Sequence, residues 1–383
     1  MHTVIIGAGI LGASAAFHLA RAGAEVTVID AHLDGRATAA GAGIICPWVS
    51  GIEDQSFYRL YVAGGEYYPD LIAALADAGE TGLGYRQSGA MLVSSDPAEL
   101  TRLERSVRQR RATAMGEITR LSPQEAQVLF PPLHAGLGGI HVAGGARVDG
   151  RHLAAGLLRA AAAAGATILK GRATLVTEAG RVAAVDVAPI AHASIDNAEG
   201  ARRIPADRVI VTAGAWTEQV RRLGFSVEPQ RGQIVHLRLE GVETQDWPVI
   251  LPPGSHYIVP FGGGRIVAGA TRETGRGFDY RVTAAGQAEV LSEALRIAPG
   301  LGVATMIETR VGFRPAGVPL LGWVRGIDGL AVGNGLGAAG LTIGPLAGRL
   351  LADLVLGKPG LLDLAPFDPT RSTAADPALA ALR

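Results

Sequence analysis

Thr3-Val-Ile-Ile-Gly7-Ala-Gly9-Ile-Leu-Gly12, followed by a helical stretch to Ala22 and then by Val26-Thr-Val-Ile-Asp30, decides the fold class. A short apolar strand runs into Gly-x-Gly-x-x-Gly at the mouth of a helix. In this pattern Gly7 makes the tight turn, Gly9 lets a pyrophosphate approach the backbone, and Gly12 lets the helix pack on the strand. The phosphates would lie on the helix N-terminus, beside Ile10 and Leu11. Asp30 ends the second strand, eighteen residues past Gly12, where a carboxylate accepts from the hydroxyls of an unphosphorylated ribose, and Ala31 follows it. A glycine-rich turn alone is common; strand, helix and acid at the right distance together specify a dinucleotide site.

Working outward, the parallel-sheet pattern returns after a gap. A helix around Leu153 to Ala163 precedes the strand Thr167-Ile-Leu-Lys170, and Arg208-Val-Ile-Val-Thr212 reads as a fully buried strand. The run Gly329-Leu-Ala-Val-Gly333 followed by a helix over 340–356 repeats the motif. Between these lie helical segments at 54–78 and 96–112 with the strand-like Gly89-Ala-Met-Leu-Val93. From 231 to 270 the period shifts to alternating strands with glycine turns, the signature of antiparallel sheet. The expected class is α/β: a discontinuous Rossmann-like domain over 1–47, 146–225 and 310–365, and an α+β substrate domain over 48–145 and 226–309. A tail is expected over 366–383.

The 35 basic residues balance the 35 acidic ones, which gives no basic face for nucleic acid. One cysteine, Cys46, excludes an intramolecular disulfide, and no spacing of ligands suggests a metal. Cys46 reads better as a small buried hydrophobe than as a covalent tether. The strand at residue 3 leaves no room for a signal peptide, and no apolar run free of Arg or Lys reaches the length of a membrane span. A cytoplasmic compartment is the simplest expectation, with peripheral membrane association only for a quinone-linked enzyme.

Further strings recur in a fixed order: Gly35-Arg-Ala-Thr-Ala-Ala-Gly-Ala-Gly43, Arg147-Val-Asp-Gly-Arg-His-Leu153, Val211-Thr-Ala-Gly-Ala-Trp-Thr217, Tyr257-Ile-Val-Pro through Gly269-Ala-Thr-Arg-Glu273, and Gly312-Phe-Arg-Pro315 with Gly333-Asn-Gly-Leu-Gly-Ala-Ala-Gly340. In this order the chain resembles the FAD-dependent amino-acid oxidases and dehydrogenases of the D-amino-acid oxidase superfamily, in length and spacing most like glycine oxidase and the small bacterial D-amino-acid dehydrogenases. The resemblance covers nearly the whole chain. It implies non-covalent FAD and oxidation of an amino acid at its Cα–N bond to an imine, then to a 2-oxo acid and ammonia. D-amino acids are the first expected substrates; glycine, sarcosine or a proline-like secondary amine comes next. Oxygen and a quinone or dye both remain open as electron acceptor, as does a homo-oligomer.

Read physically, Arg36 and Thr38 can reach pyrophosphate oxygens, while Ala39, Ala40 and Gly41 let a flat ring lie against the backbone. Ala213 and Gly214 end a buried strand as the wall of the crevice, with Trp216 beside them. The resemblance assigns an adenine contact to Thr174. The turn through Gly335, Gly337, Ala338, Ala339, Gly340, Leu341 and Thr342 opens a helix whose N–H groups suit negative charge on a reduced flavin. Leu336 and Ala338 stand where the family often carries a histidine or arginine, so a second carboxylate clamp is missing there.

Arg314 lies on an expected buried strand, where an unpaired guanidinium is costly and its planar fork suits an α-carboxylate or an internal salt bridge. Tyr257 is either a phenolic donor to the substrate or a core residue. Arg272 is a supplementary clamp, a flavin contact or a surface arginine. The family's longer turn is cut here to Ala316-Gly-Val-Pro319. A 2-hydroxy-acid oxidoreductase on the same fold would need a base, His256 or His236, and a non-catalytic flavin-binding protein would need neither.

Overall fold

The computed structural model describes residues 1–110, 112–190, 201–221, 223 and 227–370. The strand His2–Ile6 sits inside a six-stranded sheet ordered Leu320–Trp323, Leu330–Asn334, Arg208–Val211, His2–Ile6, Glu25–Asp30, Thr167–Lys170. All neighbours are parallel except the first pair. Its inner strands Arg208–Val211 and Leu330–Asn334 read as nearly unbroken apolar runs because both of their faces are covered, whereas the edge strand Thr167–Lys170 is largely exposed. Ile5, Val28, Ile210 and Ala331 face one core together with the helices Ile10–Arg21, Gly150–Ala163 and Gly340–Val355. Val4, Ile6, Val209, Val211 and Val332 face the other core, under a three-stranded antiparallel sheet of 172–178, 181–188 and 202–205.

The helices approach closely because small residues line the contact. A Cβ on Gly348 would meet Leu11 O at 2.5 Å, and one on Gly344 would meet Ile10 Cγ2 at 2.6 Å. Among the described residues one helical segment, Gly337–Val355, is long and apolar enough to cross a membrane, but 72% of its window is buried inside the protein and it carries Arg349. Its apolarity is that of a central core helix.

The second sheet has eight strands, ordered Thr305–Ala316, Glu228–Arg238, Arg265–Gly269, Tyr257–Pro260, Val249–Leu251, Ala90–Ser94, Gly138–Val142, Ile118–Leu121. It is antiparallel apart from the pair Val249–Leu251 with Ala90–Ser94. The strand Thr305–Ala316 spans the expected domain boundary at 310, so that boundary falls inside one element of this sheet. The helical stretch over 54–78 is two helices, Gln55–Glu66 and Tyr68–Asp77. Pro69 lies in the first turn of the second, where its missing N–H costs nothing. The helix expected over 96–112 is Pro97–Gln109, because Asp96 is its N-cap, accepting from Ala98 N at 2.8 Å. Residues 371–383 of the expected tail lie outside the described residues.

Candidate cofactor and active site

One cavity of about 500 Å³ runs from the carboxyl ends of the parallel strands to the face of the second sheet. At its first end the glycine turn is fixed by close backbone contacts. Gly7 has φ +106°, and a Cβ there would stand 2.5 Å from Thr212 O; one on Gly12 would stand 2.0 Å from Gly7 O. Gly9, the N-cap of the first helix, is different: its Cβ would meet only Thr38 Oγ1, at 3.3 Å, and it lines the cavity. Thr38 Oγ1 accepts from Ile10 N at 2.9 Å, which ties the small-residue loop to that helix.

Asp30 accepts from Ala8 N and from His32 N, both at 2.6 Å, and Arg36 lies 3.6 Å from its Oδ1. The carboxylate therefore holds the glycine turn and also faces the cavity, since two carboxylate oxygens offer about four lone pairs. Gly171, Arg172, Ala173 and Thr174 complete this end. The site fits the adenosine and pyrophosphate of FAD: a cradle that side chains would fill, helix N–H groups and an acid at ribose distance along the sheet. Asp30→Ala is expected to weaken cofactor retention by roughly 1.5–3 kcal/mol for the lost charge-assisted bond, and to loosen the turn at Ala8 as well. Flavin fluorescence after gel filtration checks this, and retention equal to that of the native protein would remove Asp30 from the site.

Of the sequence-derived cofactor residues, Gly7, Gly9, Ile10, Leu11, Asp30, Ala31, Arg36, Thr38, Ala40, Gly41, Thr174, Ala213, Gly214, Trp216, Gly337, Ala338, Gly340 and Leu341 line this one cavity. Five do not. Gly12 packs on the turn. Ala39 turns its carbonyl to Arg151 Nε at 2.9 Å and Arg310 Nη1 at 3.3 Å. Gly335, at φ +71°, lies against Val318 O of the shortened turn, Ala339 is buried in the helical core, and Thr342 donates to Ile44 O at 2.9 Å. Cys46 lines the far end, buried, with burial pushing its thiol up to about 12, so it is protonated at neutral pH.

At that far end Arg314 and Tyr257 meet. Arg314 projects from Thr305–Ala316, and its Nη1 donates to Thr271 O at 3.2 Å and reaches Gln230 Oε1 at 3.5 Å. Its guanidinium lies over Gly232, where a Cβ would stand 2.7 Å from both Nη atoms. The Tyr257 hydroxyl lies beside it. Burial lowers the Arg314 pKa, the Tyr257 contact offsets part of this, and Arg272 lowers it further. Among the described residues no carboxylate lies within 4.0 Å of Arg314 or Arg272. Glu273, the acid next to Arg272, is occupied by Arg231 at 2.6 Å, Gln233 at 2.8 Å and Thr271 at 2.9 Å. Among the described residues these two cations thus line one cavity without a counter-ion, and a salt bridge of Arg314 has no partner there.

His256 lines the cavity but its Nε2 lies 3.4 Å from Glu289 Oε1. His236 is buried off the cavity, 3.9 Å from Glu308, with its pKa lowered to about 4 mainly by burial. Gly232, Ile234, Tyr61, Ser50, Gln219 and Leu251 also line the cavity and carried no sequence signal, because each sits in an ordinary strand, helix or loop that only the tertiary fold brings here.

The family described as FAD dependent oxidoreductase (DAO) matches residues 2–354. The chain is 47% identical over 380 residues to the Uncharacterized oxidoreductase YurR of Bacillus subtilis (strain 168), covering 97% of this chain and 99% of that one. It is 30% identical over 378 residues to the glycine oxidase of Pseudomonas aeruginosa, covering 96% and 98%. The crystal structure of iminodiacetate oxidase (IdaA) from Chelativorans sp. BNC1 superposes with a TM-score of 0.89 at 51% identity, covering 96% of this chain and 98% of that one.

Proposed function

This chain belongs to the DAO family of FAD-dependent oxidoreductases and oxidises an amine with FAD as its cofactor, and we propose that its substrate is a glycine-type amino acid whose nitrogen carries a second carboxymethyl group, as in iminodiacetate. The observation that carries this reading is the pair Arg314 and Arg272, both lining the cavity beside Tyr257 with no acid of the described chain to neutralise them. An uncompensated cation held out of solvent, as Arg314 is, is costly, and a substrate α-carboxylate would relieve it; the exposed Arg272 adds a second positive charge on the same cavity for a second carboxylate.

Bound FAD supplies the two-electron acceptor. Arg314 takes the α-carboxylate through its fork, held flat over Gly232, while Tyr257 donates to the same group. Arg272, exposed, takes the second carboxylate. Both charges close to the amine site are positive, which favours the neutral amine over the ammonium. No base is required of the protein beyond this; orientation by the two arginines and Tyr257 carries the chain's share of the work. The Cα–H and N–H bonds are lost as two electrons and two protons, and water cleaves the resulting imine to a 2-oxo acid and an amine. A second reading, D-amino acids with a short aliphatic side chain, is favoured by the apolar wall that Ile234 and Leu251 give the cavity.

Anaerobic flavin bleaching by iminodiacetate, sarcosine, glycine and D-alanine separates the readings. Iminodiacetate is expected to bleach fastest, and Arg272→Ala to lower its kcat/KM about tenfold or more, for a charged pair worth ~1.5–3 kcal/mol, while leaving glycine nearly unchanged. Bleaching by D-alanine but not by iminodiacetate would overturn the proposal. Admitting oxygen afterwards reports whether reoxidation needs an added dye.

A further inference from the structure

A second cavity, of about 320 Å³, lies away from the cofactor and is lined by Gly84, Tyr85, Arg86, Arg147, His152, Gln245, Phe261, Gly262 and Arg265. Three arginines therefore share one small space. Arg86 and Arg147 are locked side by side by a pair of backbone hydrogen bonds, each 2.9 Å. The guanidiniums of Arg147 and Arg265 both sit on the Phe261 ring, at 4.8 and 3.9 Å from its centroid.

Their compensation is incomplete. Asp149 pairs with Arg265 at 2.8 Å, and Asp246 pairs with Arg86. Arg147, only 3% exposed, has neutral acceptors alone: Gly84 O at 3.1 Å and Gln245 O at 2.7 Å, with its Nε left without a partner. Burial, then Arg265, then Arg86 lower its pKa to about 10, and Asp246 offsets only part of this, so burial and two neighbouring arginines work against the charge it still carries at neutral pH. His152 lies on the same rim, in the first turn of Gly150–Ala163, whose N-terminus is already capped by Asp149 through Arg151 N and His152 N.

We propose that this cavity is a binding site for a phosphate-class oxyanion, held by Arg147, Arg86 and Arg265 and independent of the amine-oxidising site. Guanidiniums that reach one space from a loop and two different strands call for acceptor oxygens in more than one plane, which a tetrahedral ion offers and a single carboxylate does not. The two acids are each committed to an outer arginine, so one positive charge is left for the ligand. The site is separated from the cofactor cavity by the short ladder in which Arg147 pairs with Ile44.

Titration calorimetry of the FAD-loaded enzyme, with its own pyrophosphate site filled and ionic strength fixed with chloride, tests this with inorganic phosphate as the probe. One saturable site is expected, weakened about tenfold in Arg86→Gln with turnover unchanged, abolished in Arg147→Met, and unaltered in Arg314→Lys. Arg86 is exposed, so its variant reports even where Arg147→Met does not fold. Glycerol 3-phosphate in a parallel titration separates a phosphorylated metabolite, which would bind more tightly than phosphate, from free phosphate, which would bind equally. Absence of saturable binding, binding unaffected by Arg86→Gln, loss of binding in Arg314→Lys, or malonate binding as tightly as phosphate would overturn the assignment.

Discussion

Arg314→Lys holoenzyme is expected to stay folded and yellow while its kcat/KM on the amino-acid substrate falls about thirtyfold or more. Arg314 makes no ion pair among the described residues, so the fold does not depend on its charge being answered. What would be lost is the fork: two parallel N–H donors on a flat group that lies over Gly232 beside Tyr257. A lysine ammonium offers a point charge and cannot fill that slot, and truncating one side of a buried charged pair costs roughly 2–5 kcal/mol. Because the carboxylate is gripped before and during the reaction, both KM and kcat are expected to change, and inhibition by benzoate should weaken in parallel. Unchanged kinetics would show that the carboxylate is held elsewhere. Gly232→Ala is the complementary perturbation, since its methyl would displace the guanidinium without removing it.

Gly9→Val should give a protein that folds but holds no flavin. Gly7 and Gly12 are hemmed in by protein backbone, so bulk at either position breaks the turn itself. Gly9 meets a single hydroxyl at the margin of contact and otherwise faces the space a pyrophosphate would occupy. Side-chain atoms there exclude the cofactor with little distortion of the empty chain. Absorbance near the flavin bands is expected to vanish with the far-ultraviolet dichroism retained. The melting temperature should fall to that of the FAD-stripped native protein, because only the stabilisation by ligand binding is lost. Yellow Gly9→Val protein would mean that the phosphates do not run past this residue.

How much of this was legible beforehand follows from which residues act locally. The glycine turn, Asp30 and the buried strands are written in short sequence windows, since tight turns and two-sided burial restrict residue type within a few positions. Arg314 and Tyr257 were named from motifs, but their meeting, and the shelf that Gly232 provides, depend on the pairing of Glu228–Arg238 with Thr305–Ala316. The helix break at Tyr67 was hidden because apolar periodicity continues through it. Ala39, Ala339 and Thr342 sit within a cofactor loop in sequence, yet their contacts serve neighbouring elements: the Ala39 carbonyl accepts from Arg151 and Arg310, Ala339 packs in the helical core, and Thr342 donates to Ile44 O. Gln219, Ser50 and Tyr61 are contributed singly by distant segments, and no window contains them.

The helix Gly340–Val355 packs on Ile10–Arg21, and the first strand is flanked by Arg208–Val211, so the nucleotide cradle is completed by partners more than two hundred residues away along the chain. During synthesis the N-terminal strand–turn–helix therefore emerges with an apolar flank exposed and waits for Gly340–Val355. Such distant pairing slows folding and prolongs exposure to chaperones and to aggregation. Expression at low temperature with ample riboflavin is accordingly expected to favour recovery of the loaded form.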